Sequence, residues 1–442
     1  MSIIAEQVRQ AAALDEMQRS LVFRKRWEAY YGRHPQPLTT APGKANDNVI
    51  VNYARLIVDV GVAYLFGTPP SIELDETTQT DAERWLEQAL LANRWQMLLQ
   101  RLALNGAVCG QVFVKLLDTR PYPRIVVLDP GTVTVFWEPD DYEQVWRYRI
   151  QFPTIDRDGQ ALVMRQEIER DGSVWRITDS VGEANGRWRV TNTTIWQRPW
   201  APVLHCQNLP AANEFWGVSD LEDDILQLNY AINRVLSNIA RILRFHAHPR
   251  TWGKGFLATQ LQTAVDGTLV LPSPEAELRN LEMTSDLSSS IATYQRLREA
   301  LHEIARIPEV ATGKLEHTGG LSGVALHILY QPLLQKTEAK RALYGELLTD
   351  LASRLLELGG YSGQPRLHWP ELLPRDTLVE RQAAMVDMQL GVSQDTLLRQ
   401  LGYDPDVEAT KRAEQALAEA EIAAVTYARG GVVEVNGNGR AT

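Results

Sequence analysis

Residues 219–246, SDLEDDILQLNYAINRVLSNIARILRFH, decide the architecture of this 442-residue chain. Ser219 and Glu222 have the form of a capping box, in which a hydroxyl and a carboxylate satisfy the free N–H groups of a helix start. Behind them Leu221, Ile225, Leu228, Ile232, Val235, Ile239 and Ile242 are spaced alternately four and three apart, an a/d seam over three heptads. Asp220, Glu222, Asp223 and Asp224 crowd the start, and Arg234, Arg241 and Arg244 the end, which complements the helix dipole. At about 1.5 Å per residue the helix spans about 42 Å, more than most single-domain cores need. Such a seam serves either an intramolecular helical hairpin or packing against other copies of the chain.

Downstream, 248–286 form a short island with strand-like Thr268-Leu269-Val270-Leu271 and Glu277-Leu278-Arg279-Asn280-Leu281 around Pro272 and Pro274. A second helix over about 287–307 carries Leu287, Ile291, Tyr294, Leu297, Leu301 and Ile304 on one side. Two long helices thus bracket a small β-containing tip. After Pro308 the chain is Gly-rich and polar through Thr312-Gly313-Lys314 and Gly319-Gly320-Leu321-Ser322-Gly323. It then enters a long helix, about 324–358, in which Pro332 predicts a kink or break near Leu329 to Pro332. Gly359-Gly360 stop it. Helices over about 376–389 and 393–401 and an Ala/Glu-rich helix to about 428 follow, and 430–442 lack a core-forming pattern.

Upstream, 1–31 read as helix, 39–48 as loop, 49–66 as a helix stopped by Gly67, Pro69 and Pro70, and 80–104 as another helix. From Gly106 to Trp216 the period becomes alternating, as in Trp146-Arg147-Tyr148-Arg149-Ile150, with hairpin turns at Asp158-Gly159, Asp171-Gly172 and Asn185-Gly186. Seven of the 12 Trp lie between Trp137 and Trp216, a pattern of cross-strand aromatic packing. The expected fold class is α+β, mainly helical.

The chain has 45 Lys plus Arg against 55 Asp plus Glu, a net charge of −10. That argues against a sequence-blind DNA coat, which needs a basic surface to displace counterions, yet suits a protein past which DNA slides. Cys109 and Cys206 stand far apart with no CxxC, so neither a disulfide framework nor a zinc module is expected. The longest apolar stretch, 49–66, is broken by Asn52, Arg55 and Asp59, so no membrane span is expected, and the residues after Met1 show no secretory signal.

Enzymatic motifs fail on inspection. Gly313-Lys314 lacks the upstream Gly of a phosphate loop, where Pro308 stands, and Leu315 replaces its Ser/Thr. His302-Glu303 is half a zinc-protease motif whose second His is Arg306. His246 and His248 have no third ligand nearby, and Ser219, Ser322 and Ser393 lack a nucleophile elbow. Asp140-Asp141 and Asp223-Asp224 read as a turn and a helix N-terminus. No catalysis, cofactor or metal is expected.

Several separated segments carry a resemblance. They are Tyr30-Tyr31-Gly32-Arg33-His34; Asn48, Asn52, Val58-Asp59; Tyr64-Leu65-Phe66-Gly67-Thr68-Pro69-Pro70; and Leu321-Ser322-Gly323-Val324-Ala325-Leu326. Later come Leu373-Pro374-Arg375-Asp376, Leu390-Gly391-Val392-Ser393 with Thr396, and Asp406, Glu408, Arg412 and Glu414. In this order, with helix, tip and helix between them, the chain resembles the portal proteins of tailed bacteriophages, especially those of long-tailed, headful-packaging phages. The resemblance implies N-terminal helices and an α/β wing over 1–216, a stem helix over 217–247, a clip over 248–286 and a second stem helix over 287–307. It further implies a tunnel loop over 308–323, a kinked long helix returning to the wing over 324–374, a helical crown over 375–428 and a disordered tail over 429–442.

The implied protein is a structural ring of twelve, or thirteen when isolated, at one capsid vertex of the virion, assembled in the host cytoplasm. It would pass double-stranded DNA during packaging and ejection. Its partners would be the terminase large subunit, capsid and scaffolding proteins and a head-completion adaptor. Lys314, His317, Arg296 and Arg298 are candidate DNA contacts, with solvated charges or intersubunit ion pairs as the alternative. His246, His248, Arg250, Trp252 and Lys254 are candidate docking residues of the clip, and the seam residues are candidates for stem packing. The rival reading is a non-viral oligomeric scaffold or adaptor that uses a helical hairpin for assembly.

Overall fold

Segments of helical period open the chain, and their ends lie where a side chain competes for the backbone. The computed structural model describes residues 3–39, 46, 48–74, 80–155, 157–182, 187–247, 250–257, 262–263, 269–271, 273–281, 287–313, 323–373 and 377–416. Helix α1 is Ile3–Tyr30, α2 is Tyr53–Phe66, strand β1 is Ser71–Leu74, and α3 (Thr80–Ala92) and α4 (Trp95–Cys109) follow. Two expectations are corrected. Helix α2 starts at Tyr53 rather than Val49, because Asn52 caps it by accepting the Arg55 N–H at 3.0 Å. The helix expected over 80–104 is two, since the Asn93 side chain accepts the Ile125 N–H at 2.8 Å and donates to Pro123 O at 2.9 Å, and Arg94 turns left-handed at φ 53°.

The alternating region forms strands. β2 (Gln111–Leu117), β3 (Arg124–Leu128), β4 (Val133–Glu138), β5 (Asp141–Ile155), β6 (Ala161–Asp171), β7 (Val174–Gly182), β8 (Trp188–Trp196) and β9 (Val203–Gln207) come in sequence. They build two antiparallel sheets, β3-β2-β9 and the meander β4-β5-β6-β7-β8. Asp158-Gly159 and Asp171-Gly172 lie at the hairpin turns, with Gly159 and Gly172 at positive φ; Asn185-Gly186 lies outside the described residues.

Helix α5 is Asp223–Ala247 and α6 is Ser288–Ala305. Between them lie β10 (Arg250–Lys254), β11 (Gln262–Thr263), β12 (Leu269–Val270) and β13 (Glu277–Leu281), paired antiparallel as β10-β13 and β11-β12. A 3-10 turn over Glu309–Thr312 follows, then α7 (Gly323–Gly359) and β14 (Pro365–His368), which pairs with β1. Of the kink or break expected near Leu329 to Pro332, the break does not occur: α7 is one helix of 37 residues with Pro332 inside it. The chain divides into two compact units, Met1–Pro370 and Glu371–Thr442. The second contains α8 (Thr377–Gln389), α9 (Gln394–Gln400) and helical residues 405–416, with Leu397 buried. The helix beyond 416 and the expected tail lie outside the described residues.

The first unit has two cores joined by shared helices. One gathers Phe66, Leu99, Leu102, Phe113, Leu116, Ile168, Leu351 and Leu355 between the sheets and α7. The other gathers Ile57, Val58, Val108, Leu221, Leu226, Ile232, Leu301 and Leu333 among α1, α2, α5 and α6. Helices α2, α4 and α7 contribute to both. Cys109 and Cys206 are free and buried, and burial pushes the Cys109 thiol up to about 12.

A buried polar cluster lies among the elements that the two cores share. Asp220 accepts from Lys340 Nζ at 2.5 Å and pairs with Lys336 Nζ at 3.1 Å, while Lys336 also donates to Ala305 O at the end of α6. The Asp220 N–H donates to Ala107 O of α4, and Asn208 donates to Asp220 and Val218 while accepting the Tyr344 hydroxyl. A β-carbon on Gly106 would collide with that hydroxyl, so only glycine lets α4 approach α7 here. Burial works to raise the Asp220 carboxyl, but the Lys336 and Lys340 ammoniums outweigh it and hold it down at about 2.

Removing the carboxylate leaves two buried cations without a counter-charge, so Asp220→Asn is expected to cost about 3–5 kcal/mol. Lys340→Met keeps a one-to-one pair and should cost less; urea titration of both variants checks the order. Because the folded carboxyl lies below its unfolded value of about 3.9, its contribution is complete above about pH 4 and is lost as pH falls through about 2. Acid unfolding of the parent should show that loss, and Asp220→Asn should lack it.

Candidate functional site

The seam on α5 divides between two uses. Leu221, Ile225 and Ile232 are fully enclosed by the chain's own second core, whereas Leu228, Val235, Ile239 and Ile242 are half-buried. Of the two uses open to the seam, its first half takes the intramolecular one, closing on α1, α2 and α6 of the same chain. The expected capping box is only half made: Glu222 accepts the Ser219 N–H at 3.1 Å, but Ser219 Oγ accepts the Leu221 N–H at 2.8 Å, and α5 starts at Asp223, four residues past Ser219. Lys25 and Arg26 of α1 pair with Asp223 and Glu222, each at 2.8 Å, fixing α1 to the positive end of the α5 dipole.

A second face of α5 is polar and buried. Asn229, Asn233 and Ser237, four residues apart, bond the segment that precedes α2. Asn229 accepts the Ala54 N–H at 3.2 Å and donates to Val51 O at 2.8 Å; Asn233 accepts the Val51 N–H and Ser237 the Val49 N–H, both at 2.9 Å. The helix thereby satisfies the backbone of this segment, which is why 49–52 stay out of α2. The i, i+4, i+8 spacing of these three residues is the signal that the apolar seam drowned out.

The candidate DNA contacts separate. The Arg298 guanidinium is forked onto Glu309 within the chain, with Nε at 2.9 Å and Nη2 at 3.0 Å. Arg296 is exposed and pairs with Glu299 at 3.1 Å. Lys314 and His317 lie outside the described residues. His302 is buried and donates from Nδ1 to Ile307 O at 2.8 Å, so it serves the turn after α6. Among the candidate docking residues, Trp252 is 41% exposed and Lys254 is exposed on β10, and Arg250 heads that strand. The His246 side chain and all of His248 lie outside what is described. No group of three or more His, Cys, Asp or Glu among the described residues could hold a metal, and no described helix is long and apolar enough to cross a membrane.

The five-stranded sheet carries charge that the sequence reading did not single out. Side chains alternate along β5, so Tyr148 and Ile150 enter the core while Arg147 and Arg149 face the other way. Arg149 pairs with Glu167 at 3.1 Å and Arg147 with the same carboxylate at 3.6 Å, both near the Phe136 ring. Arg165 lies 3.5 Å over the Trp188 ring and donates to the neutral Gln151 at 3.1 Å. On the core side of the same sheet a cavity of about 550 Å³ is lined by Tyr148, Glu143, Glu214, Glu346, Asp350 and Arg354.

Asn229→Leu removes both the acceptor of Ala54 N–H and the donor to Val51 O, so it should cost about 2–4 kcal/mol by leaving buried backbone groups unpaired. The check is equilibrium unfolding together with amide exchange, which should speed most at Ala54.

Comparison with known proteins adds what geometry alone does not. A family model described as phage portal protein, SPP1 Gp6-like, matches residues 14–425. Two similar solved structures are a chain in the virion of a native gene transfer agent particle and a chain in the neck of an empty gene transfer agent particle computed with C6 symmetry. The first is 14% identical over 80% of this chain and 90% of that one, with a TM-score of 0.48. The second has the same identity and coverages, 14%, 80% and 90%, with a TM-score of 0.47. Comparison with curated sequences gives no match. With all but short ends of its length matched, the chain belongs to the SPP1 Gp6-like family of phage portal proteins, which are structural proteins of the virion.

Proposed function

We propose that twelve or thirteen copies of this chain form a ring at one capsid vertex, through which a terminase motor packages double-stranded DNA and through which the DNA later leaves. The family match over residues 14–425 carries this reading. In it, 1–216 form the wing, α5 and α6 the stem, 248–286 the clip, 308–323 the tunnel loop, and 375–428 the crown. Capsid and scaffolding proteins would hold the wing. Terminase and then a head-completion adaptor would dock on the clip, where Trp252 and Lys254 are exposed.

Elementary geometry agrees. Helix α5, with 25 residues, is about 38 Å long. Twelve helices set about 10 Å apart lie on a circle about 38 Å across, and about 5 Å of wall on each side leaves about 28 Å, room for a B-form duplex and water. The half-buried end of the seam, Val235, Ile239 and Ile242, would meet neighbouring helices. A net charge of −10 per copy keeps the bore from gripping phosphates. Lys314, His317 and Arg296 would be the few cations near DNA.

Negative-stain imaging with mass photometry of the purified chain should show rings of about twelve copies with an open centre. A closed dimer or tetramer without a hole would instead favour a scaffold. Deleting 312–320 should spare ring assembly and impair DNA packaging in a terminase-driven assay, and unchanged packaging would remove the loop from the mechanism.

A further inference from the structure

A ring closes by heterologous contacts, in which one patch on each copy meets a different patch on the next. The five-stranded sheet separates two patches of opposite charge. On its outer side Arg147 and Arg149 share the Glu167 carboxylate, and the polar partner described for Arg165 is the uncharged Gln151. On its core side the cavity of about 550 Å³ gathers Glu143, Glu214 and Glu346, while Asp350 is engaged by Arg354 at 2.7 Å. Glu143, Glu214 and Glu346 are all exposed in the single chain.

Resting on the ring reading, we propose that adjacent copies meet across this sheet, the Arg147, Arg149 and Arg165 face of one copy seated against the Glu143, Glu214 and Glu346 cavity of the next. Arg is the residue suited to such an interface, because its planar fork matches a carboxylate and stacks on aromatic rings. Phe136 and Trp188 already hold these guanidiniums against the sheet, so little side-chain freedom remains to be lost on docking. Burial, followed by the Arg149 charge, lowers the Arg165 pKa, and incoming carboxylates would relieve that repulsion.

The test is a charge swap in the full chain, read by mass photometry. Arg165→Glu spoils one face and Glu346→Arg the other, so each variant alone should lose about tenfold or more of its rings, since like charges then oppose each other. A one-to-one mixture should recover them as alternating rings, because every interface in such a ring is either parental or swapped. Melting curves matching the parent show that both variants fold. Variants that each form rings like the parent overturn the proposal, and weakened duplex binding by Arg165→Glu in that case assigns the face to phosphate instead. Folded variants whose mixture stays unassembled also overturn it. A parent chain that forms no ring under any condition overturns the ring reading itself.

Discussion

Asp220 is held by two lysines at a point where four helices and a loop converge, and the architecture depends on that charge arrangement. Its backbone is bonded to α4, its carboxylate to α7, and Lys336 ties the same site to the last carbonyls of α6. Burying charge is costly, so the cluster adds little stability over a well-packed apolar equivalent. What it supplies is position. Ion pairs and hydrogen bonds are directional where packed leucines are not, and α5 starts at Asp223, just after Asp220.

The same logic explains the polar face of α5. Asn229, Asn233 and Ser237 satisfy the backbone of the segment before α2, so the chain entering α2 is fastened along α5 as a strand is fastened to a sheet edge. Together with the Lys25 and Arg26 pairs at its N-terminus, this anchors the first half of α5 inside the protomer. The second half, with Val235, Ile239 and Ile242 half-buried and Leu243 exposed, retains apolar surface for contacts beyond the chain. In the ring proposed above, α5 would combine a base held within the protomer with apolar surface for its neighbours.

The charge of the molecule is likewise sorted by its sheet. A net negative chain presents guanidiniums on one side of the β4–β8 meander and carboxylates on the other. Alternation along β5 turns Arg147 and Arg149 away from Tyr148 and Ile150, the register shift beside Phe136 and Trp137 separates Glu143 from them, and Glu214 and Glu346 come from outside the sheet. This partition gives each copy two unlike surfaces, the requirement for a closed head-to-tail ring.

Much of this was legible from sequence. The period-3.6 runs, the Asp-Gly turns and the small tip between two helices all lie close to their expected positions, because each is set by interactions within a few residues. The errors lie where distant residues intervene. Val49 to Asn52 read as helix because their composition suits one, and Asn233 and Ser237, far along the chain, hold them out of it. Asn93 ends a helix by reaching Pro123 and Ile125. By itself the sequence determined local periodicity, caps, turns and the order of parts that marks the family. Only the tertiary structure decided which half of the α5 seam is spent inside the protomer, which cations are already paired, and how α4, α6 and α7 converge on Asp220. Those outcomes depend on hydrogen bonds and charge pairs between elements brought together by folding, from Arg298 and Glu309 eleven positions apart to Val49 and Ser237, 188 apart, and no local pattern encodes them.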